Sequence, residues 1–211
     1  VYTCTVCGAT KAEVIPMLTH DHNFTWTVIS QATVFAPEKQ EGICTICGAK
    51  KTRGNGNQLT ATIKLNATSI KLQKKQSTTK VKVTGLANGD SVKSWTSSNK
   101  KIVTVDKNGK IKAGKKTGSA KITITLKSGK KATLKVKVQS AKVKTTKITG
   151  LKTKLTLKKD KSLTLKPVIS PITSQEKVTY TTSNKKVATV TKNGVIKAKK
   201  KGTATITVKS G

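Results

Sequence analysis

The sequence predicts an all-β chain in which two tandem antiparallel β-sandwiches follow a small cysteine-containing module. A long segment is repeated at an offset of 85 residues, short runs in each repeat alternate apolar and polar residues, and all four cysteines lie within the first 47 residues. These observations divide the chain into a cysteine module at 1–53, a linker at 54–58, a first repeat at 59–140 and a second repeat at 141–211.

The repeat is clearest around two aromatic residues. The segment Trp95–Ala113 matches Tyr180–Ala198 position by position, with Ser-Asn-Lys-Lys and Asn-Gly at the same places in both. Upstream, Leu72 falls on Leu157 at the same offset. A period this long indicates the duplication of a whole domain rather than a short solenoid unit.

Alternating runs predict strands within each repeat. Lys121–Leu126, Thr133–Val138 and Thr203–Val208 place aliphatic residues at every second position and Lys or Thr between them, so each strand buries one face. Asn108-Gly109 and Asn193-Gly194 lie between such runs and predict two-residue type I′ hairpins, which need positive φ. Many short strands without helical periodicity favour a two-sheet sandwich in each repeat.

The two repeats differ at their C-terminal ends. The first continues past Ser128-Gly129 into the run Thr133–Val138, whereas the second runs to Ser210-Gly211. We therefore expect the second repeat to lack its last strand. A shortened chain would explain this, and so would a strand donated by another copy of the protein, which would fill the open edge and build a fibre.

The repeats resemble the bacterial Ig-like group 2 domain family. The resemblance rests on Ser97–Val105 with its Asn-Gly turn, on the counterpart Thr182–Val190, and on the run Gly202–Val208. It covers about residues 59–211. The resemblance implies Ig-like sandwiches of the kind that serve as spacers or adhesive modules in bacterial surface proteins and large secreted enzymes, and it brings no catalytic residues.

The cysteines form two copies of one short unit. Cys4-Thr-Val-Cys7 and Cys44-Thr-Ile-Cys47 are each followed by Gly-Ala. The Cys-x-x-Cys-Gly pattern resembles the zinc knuckle, in which a tight turn directs two thiolates at one metal ion. Four thiolates at about 2.3 Å would complete a closed structural zinc site, so these four cysteines are the expected ligands.

Other arrangements of the cysteine module remain open. His20 or His22 would replace a thiolate in a mixed zinc site. Structural disulfides are the alternative to zinc, since an exported module meets an oxidising environment. A module of about 50 residues buries too little apolar surface to be secure unaided, so we expect metal or cross-links in either case.

The charge balance points to anionic partners. The chain has 43 basic and 8 acidic residues, a formal net charge of +35, and Arg53 as its one arginine. A lysine field attracts anionic cell-wall polymers or host glycans non-specifically and in a salt-sensitive manner. Specific nucleic-acid binding is disfavoured, because it relies on arginine and aromatic residues, and aromatic residues make up only 3% of the chain.

These features favour a non-catalytic protein located outside the bacterial cell, at its surface or secreted. No constellation of nucleophile, base and orienting group is recognisable, and no run of about 18 apolar residues predicts a membrane span. We expect a structural or adhesive region that acts as a spacer, contacts other domains of its parent protein and binds anionic polymers weakly. The alternatives are an accessory region of a large secreted enzyme and a strand-donating fibre subunit.

Overall fold

The computed structural model describes residues 2–3, 6–8, 10–11 and 21–211. The chain forms two compact units, Val1–Leu59 and Thr60–Gly211, and the second contains both repeats. Every regular element within the described ranges is a β-strand, which confirms the all-β prediction. Among the described residues, no helix has the length and apolar composition needed to cross a membrane.

The N-terminal unit is built on an antiparallel three-stranded sheet. Its strands are β1 (Tyr2–Thr3), β2 (Thr10–Lys11), β3 (Phe24–Ser30), β4 (Glu38–Cys44) and β5 (Lys50–Asn55), and the sheet has the order β3-β4-β5. Trp26 lies over Gly42, where an added Cβ would come within 2.9 Å of the indole ring. The guanidinium carbon of Arg53 lies 3.8 Å from the centre of the same ring. The indole ring of Trp26, in β3, therefore contacts the backbone of β4 and the side chain of Arg53 from β5.

The first repeat is a two-layer sandwich. Its strands are β6 (Lys64–Leu65), β7 (Ser69–Gln73), β8 (Ser77–Thr78), β9 (Val83–Thr84), β10 (Val92–Ser97), β11 (Val103–Val105), β12 (Ile111–Ala113), β13 (Gly118–Leu126) and β14 (Lys131–Gln139). One sheet has the order β10-β13-β14-β7 and another the order β11-β12-β8, with a short β6-β9 ladder in addition. All pairs are antiparallel except β14 with β7, which run parallel.

Aliphatic side chains from both layers form the core of the first repeat. They are Ile70, Leu72, Val81, Ile102, Val103, Ile111, Ala113, Ala120, Ile122, Ile124, Leu134, Val136 and Val138. In β14 every second residue is buried, and the lysines between them, Lys135 and Lys137, are exposed. Burial of each large aliphatic side chain contributes about 1.5–3 kcal/mol, so a shift of register by one residue would be strongly unfavourable.

The second repeat follows the same plan with a more exposed aliphatic face. Its strands are β15 (Lys147–Thr149), β16 (Ser162–Thr164), β17 (Val168–Ser170), β18 (Val178–Thr182), β19 (Ala188–Val190), β20 (Val195–Ala198) and β21 (Ile206–Ser210). Among the described strands, β21 pairs with β18 alone. Leu155 is 41% exposed, whereas Ile70, its equivalent in the first repeat, is 3% exposed. The strand edge that pairs with β14 in the first repeat, on β13, therefore has an unpaired counterpart on β21 among the described strands.

The prediction of type I′ turns at the Asn-Gly pairs is wrong. Gly109 and Gly194 have φ of 75° and 77°, but neither Asn108 nor Asn193 has positive φ, which a type I′ turn requires. The Gly109 N–H donates to the Asp106 C=O at 3.1 Å, so the turn begins one residue earlier and the glycine follows it. The Asp106 carboxylate accepts from the backbone N–H groups on both sides of Gly109, at 2.9 Å each, and this stabilises the observed turn.

The same glycine is a packing site for the aromatic residue of each repeat. A Cβ at Gly109 would lie 2.7 Å from Cζ2 of Trp95, and one at Gly194 would lie 2.8 Å from Cζ of Tyr180. Trp95 also packs against the aliphatic core. Glycine is thus needed for two independent reasons, its positive φ and the close approach of a ring.

Gly109→Ala is expected to destabilise the first repeat more than the control Gly129→Ala. Both glycines have positive φ, so both variants carry backbone strain of about 1–2 kcal/mol, but nothing lies within 4 Å of a Cβ at position 129. The clash with Trp95 is expected to cost about a further 1–3 kcal/mol. Urea unfolding followed by tryptophan fluorescence measures the difference, and equal losses would contradict the packing of Trp95 on this turn.

Candidate metal centre and lysine cleft

The second cysteine knuckle begins at the last residue of β4. The Cys44 N–H donates to the Ala49 C=O and the Gly48 N–H donates to the Cys44 C=O, each at 2.9 Å. Gly48 has φ of 74°, which favours glycine at this place in the turn. The closed turn holds the sulfurs of Cys44 and Cys47 within 4.8 Å of each other.

The pairing of β3 with β4 brings His22 to this knuckle. Thr45, in the knuckle, donates its N–H to the C=O of Asn23 at 3.0 Å, and His22 is the residue before that asparagine. The His22 Nδ1 lies 3.4 Å from the Cys47 Sγ. The candidate ligand atoms of His22, Cys44 and Cys47 all lie within 4.8 Å of one another.

The spacing of these three side chains fits a tetrahedral metal ion. With Zn–S of about 2.3 Å and Zn–N of about 2.0–2.1 Å, tetrahedral angles place a sulfur and a nitrogen ligand about 3.6 Å apart. The observed separation of Cys47 Sγ and His22 Nδ1 is 3.4 Å. Cys44 is buried, and the His22 ring stacks on the Phe24 ring with 5.5 Å between centroids. The group could hold one zinc ion if a further ligand completed the tetrahedron.

The other residues predicted as ligands are placed differently. Cys4 and His20 lie outside the described residues. Cys7 is exposed, and within the described part of the chain it does not belong to the group of three. Gly8, which follows it, has φ of 68°, close to the 74° of Gly48, so the two knuckles share the conformation of their glycine. No disulfide joins any two of the three described cysteines.

A polar joint connects the two repeats. Thr173, in a loop of the second repeat, is 1% exposed, and its Oγ1 donates to the C=O of Lys71 in β7 at 2.6 Å. Gln76 Nε2 donates to the Thr173 C=O at 2.9 Å, and Gln175 Nε2 donates to Gln73 Oε1 at 3.0 Å. The loop of one repeat is therefore hydrogen-bonded to the strand edge of the other.

The segment 140–146 connects β14 to β15 and is called the linker from here on; it is tied to the same loop. Val143 is 2% exposed, and its N–H donates to Gln175 Oε1 at 3.0 Å. The Gln175 N–H in turn donates to the Val143 C=O at 2.9 Å. Reasoning from the sequence missed this joint, since Thr and Gln residues form no recognisable motif, and their partners lie about 100 residues away.

A cleft of about 1190 Å³ opens beside the joint. One wall comes from the first repeat and the linker, and the other comes from residues 170–172 of the second repeat. Its lysines, all exposed, are Lys71, Lys121, Lys135, Lys137, Lys142 and Lys144. Of the acidic residues that the structure describes, none lines the cleft.

The strand register places lysines of the cleft directly opposite one another. Lys121 of β13 is the partner of Lys135 in β14, and Lys137 of β14 is the partner of Lys71 in β7. Like charges at such positions destabilise a sheet. In the described part of the chain none of these lysines forms an ion pair with a carboxylate. The cleft therefore concentrates positive charge that none of the described carboxylates neutralises.

Thr173→Val is expected to loosen the joint between the repeats. The variant keeps the shape of the side chain but removes the donor to the Lys71 C=O, and the loss of one buried hydrogen bond costs about 1–3 kcal/mol. Thr207→Val, at an exposed position of β21, is the matched control. Cleavage by a lysine-specific protease after Lys142 and Lys144 is expected to accelerate in the first variant alone. Unchanged cleavage there would contradict the joint.

Comparison with known proteins gives three kinds of similarity. Two structures of the surface layer protein SbsC each match 90% of this chain and 34% of their own, with 17% and 19% identity and a TM-score of 0.32. A kappa-carrageenase from Pseudoalteromonas carrageenovora is 55% identical over 58 residues, 27% of this chain, and the matched part spans 15% of that relative.

The family comparison covers both repeats. The model of the bacterial Ig-like domain (group 2) matches residues 59–136 and again residues 143–211. The two matches coincide with the two sandwich-like halves of the second compact unit. Since they cover more than half of the chain, the chain belongs to the bacterial Ig-like domain (group 2) family.

Proposed function

We propose that the chain is a non-catalytic, extracellular structural region of a bacterial surface or secreted protein. Its two Ig-like domains, held together by hydrogen bonds at the joint, act as a spacer. Its lysine surface binds anionic glycans or cell-wall polymers weakly. The observation that carries this proposal is the net charge of +35 on the chain, together with Ig-like strands that turn their lysines outward and have no acidic partner in their described ladders.

The joint supports the role as a spacer. A spacer has to keep a fixed orientation between neighbouring domains, so the domains need contacts with each other in addition to a flexible linker. Here Thr173 and Gln175 reach strand β7 and its flanking residues, and Val143 fixes the linker to the same loop. Movement of one domain relative to the other would break several hydrogen bonds together.

The lysine surface supports weak electrostatic binding. An ammonium group is a compact, strongly hydrated charge without the bidentate fork of arginine, so it attracts anions with little selectivity of shape. Charge of one sign over a whole surface raises the local concentration of polyanions, and salt screens this effect within about 8–10 Å. Affinity of this kind is modest for each contact and grows with the length of the polymer.

Zinc is the ion that best suits the N-terminal group of His22, Cys44 and Cys47. Thiolate and imidazole ligands at tetrahedral spacing are typical of structural zinc sites. In this proposal the fourth ligand comes from the first knuckle, Cys4 or Cys7. Bound zinc would supply the cross-link that a unit of this size needs and would take no part in a reaction.

Zinc titration of the full chain tests the metal centre. Zinc is expected to raise the unfolding temperature of the N-terminal unit, and both Cys47→Ser and His22→Gln are expected to weaken zinc binding at least tenfold. Competition with a chromogenic chelator measures the affinity. If His22→Gln kept the zinc affinity of the wild type while Cys7→Ser lost it, the role of His22 would be overturned. That result would favour the site of four thiolates.

Polyanion binding at two salt concentrations tests the main proposal. The chain is expected to bind dextran sulfate and teichoic acid at about 50 mM salt and to lose at least tenfold in affinity by about 300 mM. Uncharged dextran is the control for contacts that do not depend on charge. Retention that does not change with salt, or equal binding to uncharged dextran, would contradict the electrostatic mechanism.

The second candidate function is an accessory region of a large secreted enzyme. The observation in its favour is the 55% identity over 58 residues with a kappa-carrageenase. In this arrangement catalysis would reside on another part of the parent protein, and the repeats would hold that part near its polymer. Deletion of the repeats from such a parent would lower the rate on polymeric substrate and leave the rate on short oligosaccharides unchanged.

A further inference from the structure

We propose that the lysine cleft between the two Ig-like domains is a defined binding site for a linear polysaccharide that carries ester sulfate groups. This proposal rests on the proposed function, since it assigns the electrostatic binding to one place. The cleft is the part of the described surface where cross-strand lysine pairs, linker lysines and the wall of a second domain occur together.

Repulsion between neighbouring lysines of the sheet favours the binding of a polyanion at this place. Adjacent strands lie about 4.8 Å apart, and alternate residues of one strand lie about 7 Å apart. Lys121, Lys135, Lys137 and Lys71 therefore form a compact block of four charges across β13, β14 and β7. A polyanion that bridges the block replaces like-charge repulsion with attraction at each position.

The cleft also has a second wall. Lys142 and Lys144 approach from the linker, while Ser170, Pro171 and Ile172 come from the second domain. Ile172 packs against the core of the first domain. A bound sugar chain would therefore meet the lysines of the sheet and the linker on one side, and the hydroxyl group of Ser170 and the ring of Pro171 on the other. That mixture suits a sugar chain, which offers both hydroxyl groups and apolar ring faces between its charged substituents.

The joint holds these walls together. Thr173 follows the wall residues 170–172 directly and donates to the backbone of Lys71, which is itself a residue of the cleft. Val143, also in the lining, is bonded to Gln175 of the same loop. The site is therefore a property of the two domains together, and neither repeat alone would form it.

The composition of the lining selects among polyanions. Among the described residues, the lining contains no aromatic residue and no arginine, so it has no platform for stacked bases and no guanidinium fork for bidentate recognition of guanine. Ammonium groups with hydroxyl and amide neighbours instead suit an anion that accepts single hydrogen bonds from several directions. An ester sulfate offers three such oxygens, whereas a phosphodiester in a polymer backbone offers two.

Two triple variants of equal charge test the site. The cleft variant is Lys121→Gln, Lys137→Gln and Lys142→Gln. The control is Lys107→Gln, Lys112→Gln and Lys116→Gln, which are exposed positions of the first domain outside the cleft. Each removes three positive charges from exposed side chains, so both are expected to fold. Affinity for dextran sulfate is measured for the wild-type chain and both variants in the same buffer.

The proposal predicts that the cleft variant binds dextran sulfate about tenfold more weakly than the wild type, and the control at most about twofold more weakly. Equal losses in both variants would overturn the cleft and leave the general electrostatic function standing. If inorganic polyphosphate bound more tightly than dextran sulfate, and if the cleft variant weakened its binding to the same extent, the assignment to sulfate would be overturned. Absence of dextran sulfate binding by the wild-type chain would overturn both the cleft and the proposed function.

Discussion

Burial of one aliphatic face of each strand is the constraint on which the rest of the structure depends. In β14 the residues Leu134, Val136 and Val138 are at most 2% exposed, and they fix which face the intervening lysines occupy. Because side chains alternate with a period of two, the register that builds the core also builds the charged surface. The lysine pairs across β13, β14 and β7 follow directly from that register. The alternation of aliphatic residues and lysines along each strand therefore forms both the core and the proposed binding surface.

The alternating pattern could be predicted from the sequence because it is local and repeated. Tyr180 lies opposite Val208 as Trp95 lies opposite Ile124, so both domains keep the same register, although the offset is 85 residues in the first strand of this pair and 84 in the second. The Asn-Gly turns were predicted incorrectly, because a side-chain oxygen stabilises a turn that begins one residue earlier. That oxygen belongs to the Asp106 carboxylate in the first repeat and to the Thr191 hydroxyl in the second. The place of these turns between two strands was nevertheless right, since Gly109 and Gly194 do have positive φ.

Features that depend on distant parts of the chain could not be predicted in the same way. Thr173 and Gln175 gain their role from partners in another domain, and no spacing in the sequence reveals the contact. His22 was one of several candidate ligands, and only the pairing of β3 with β4 brings it to the knuckle of Cys47. The lysine excess was evident from composition, but its concentration in a cleft required the position of the second domain. Composition therefore indicates the kind of partner, and the tertiary structure indicates the place.

The buried aliphatic core of the first domain and the joint to the second domain hold the lysine surface in place. Residue-resolved amide hydrogen exchange on the full chain measures both features. We expect the slowest exchange in β13 and β14, and clear protection at the amides of Val143 and Gln175, each of which donates a hydrogen bond to the other residue at the joint. Fast exchange throughout β13 and β14, or joint amides that exchange as fast as an unfolded chain, would contradict this arrangement.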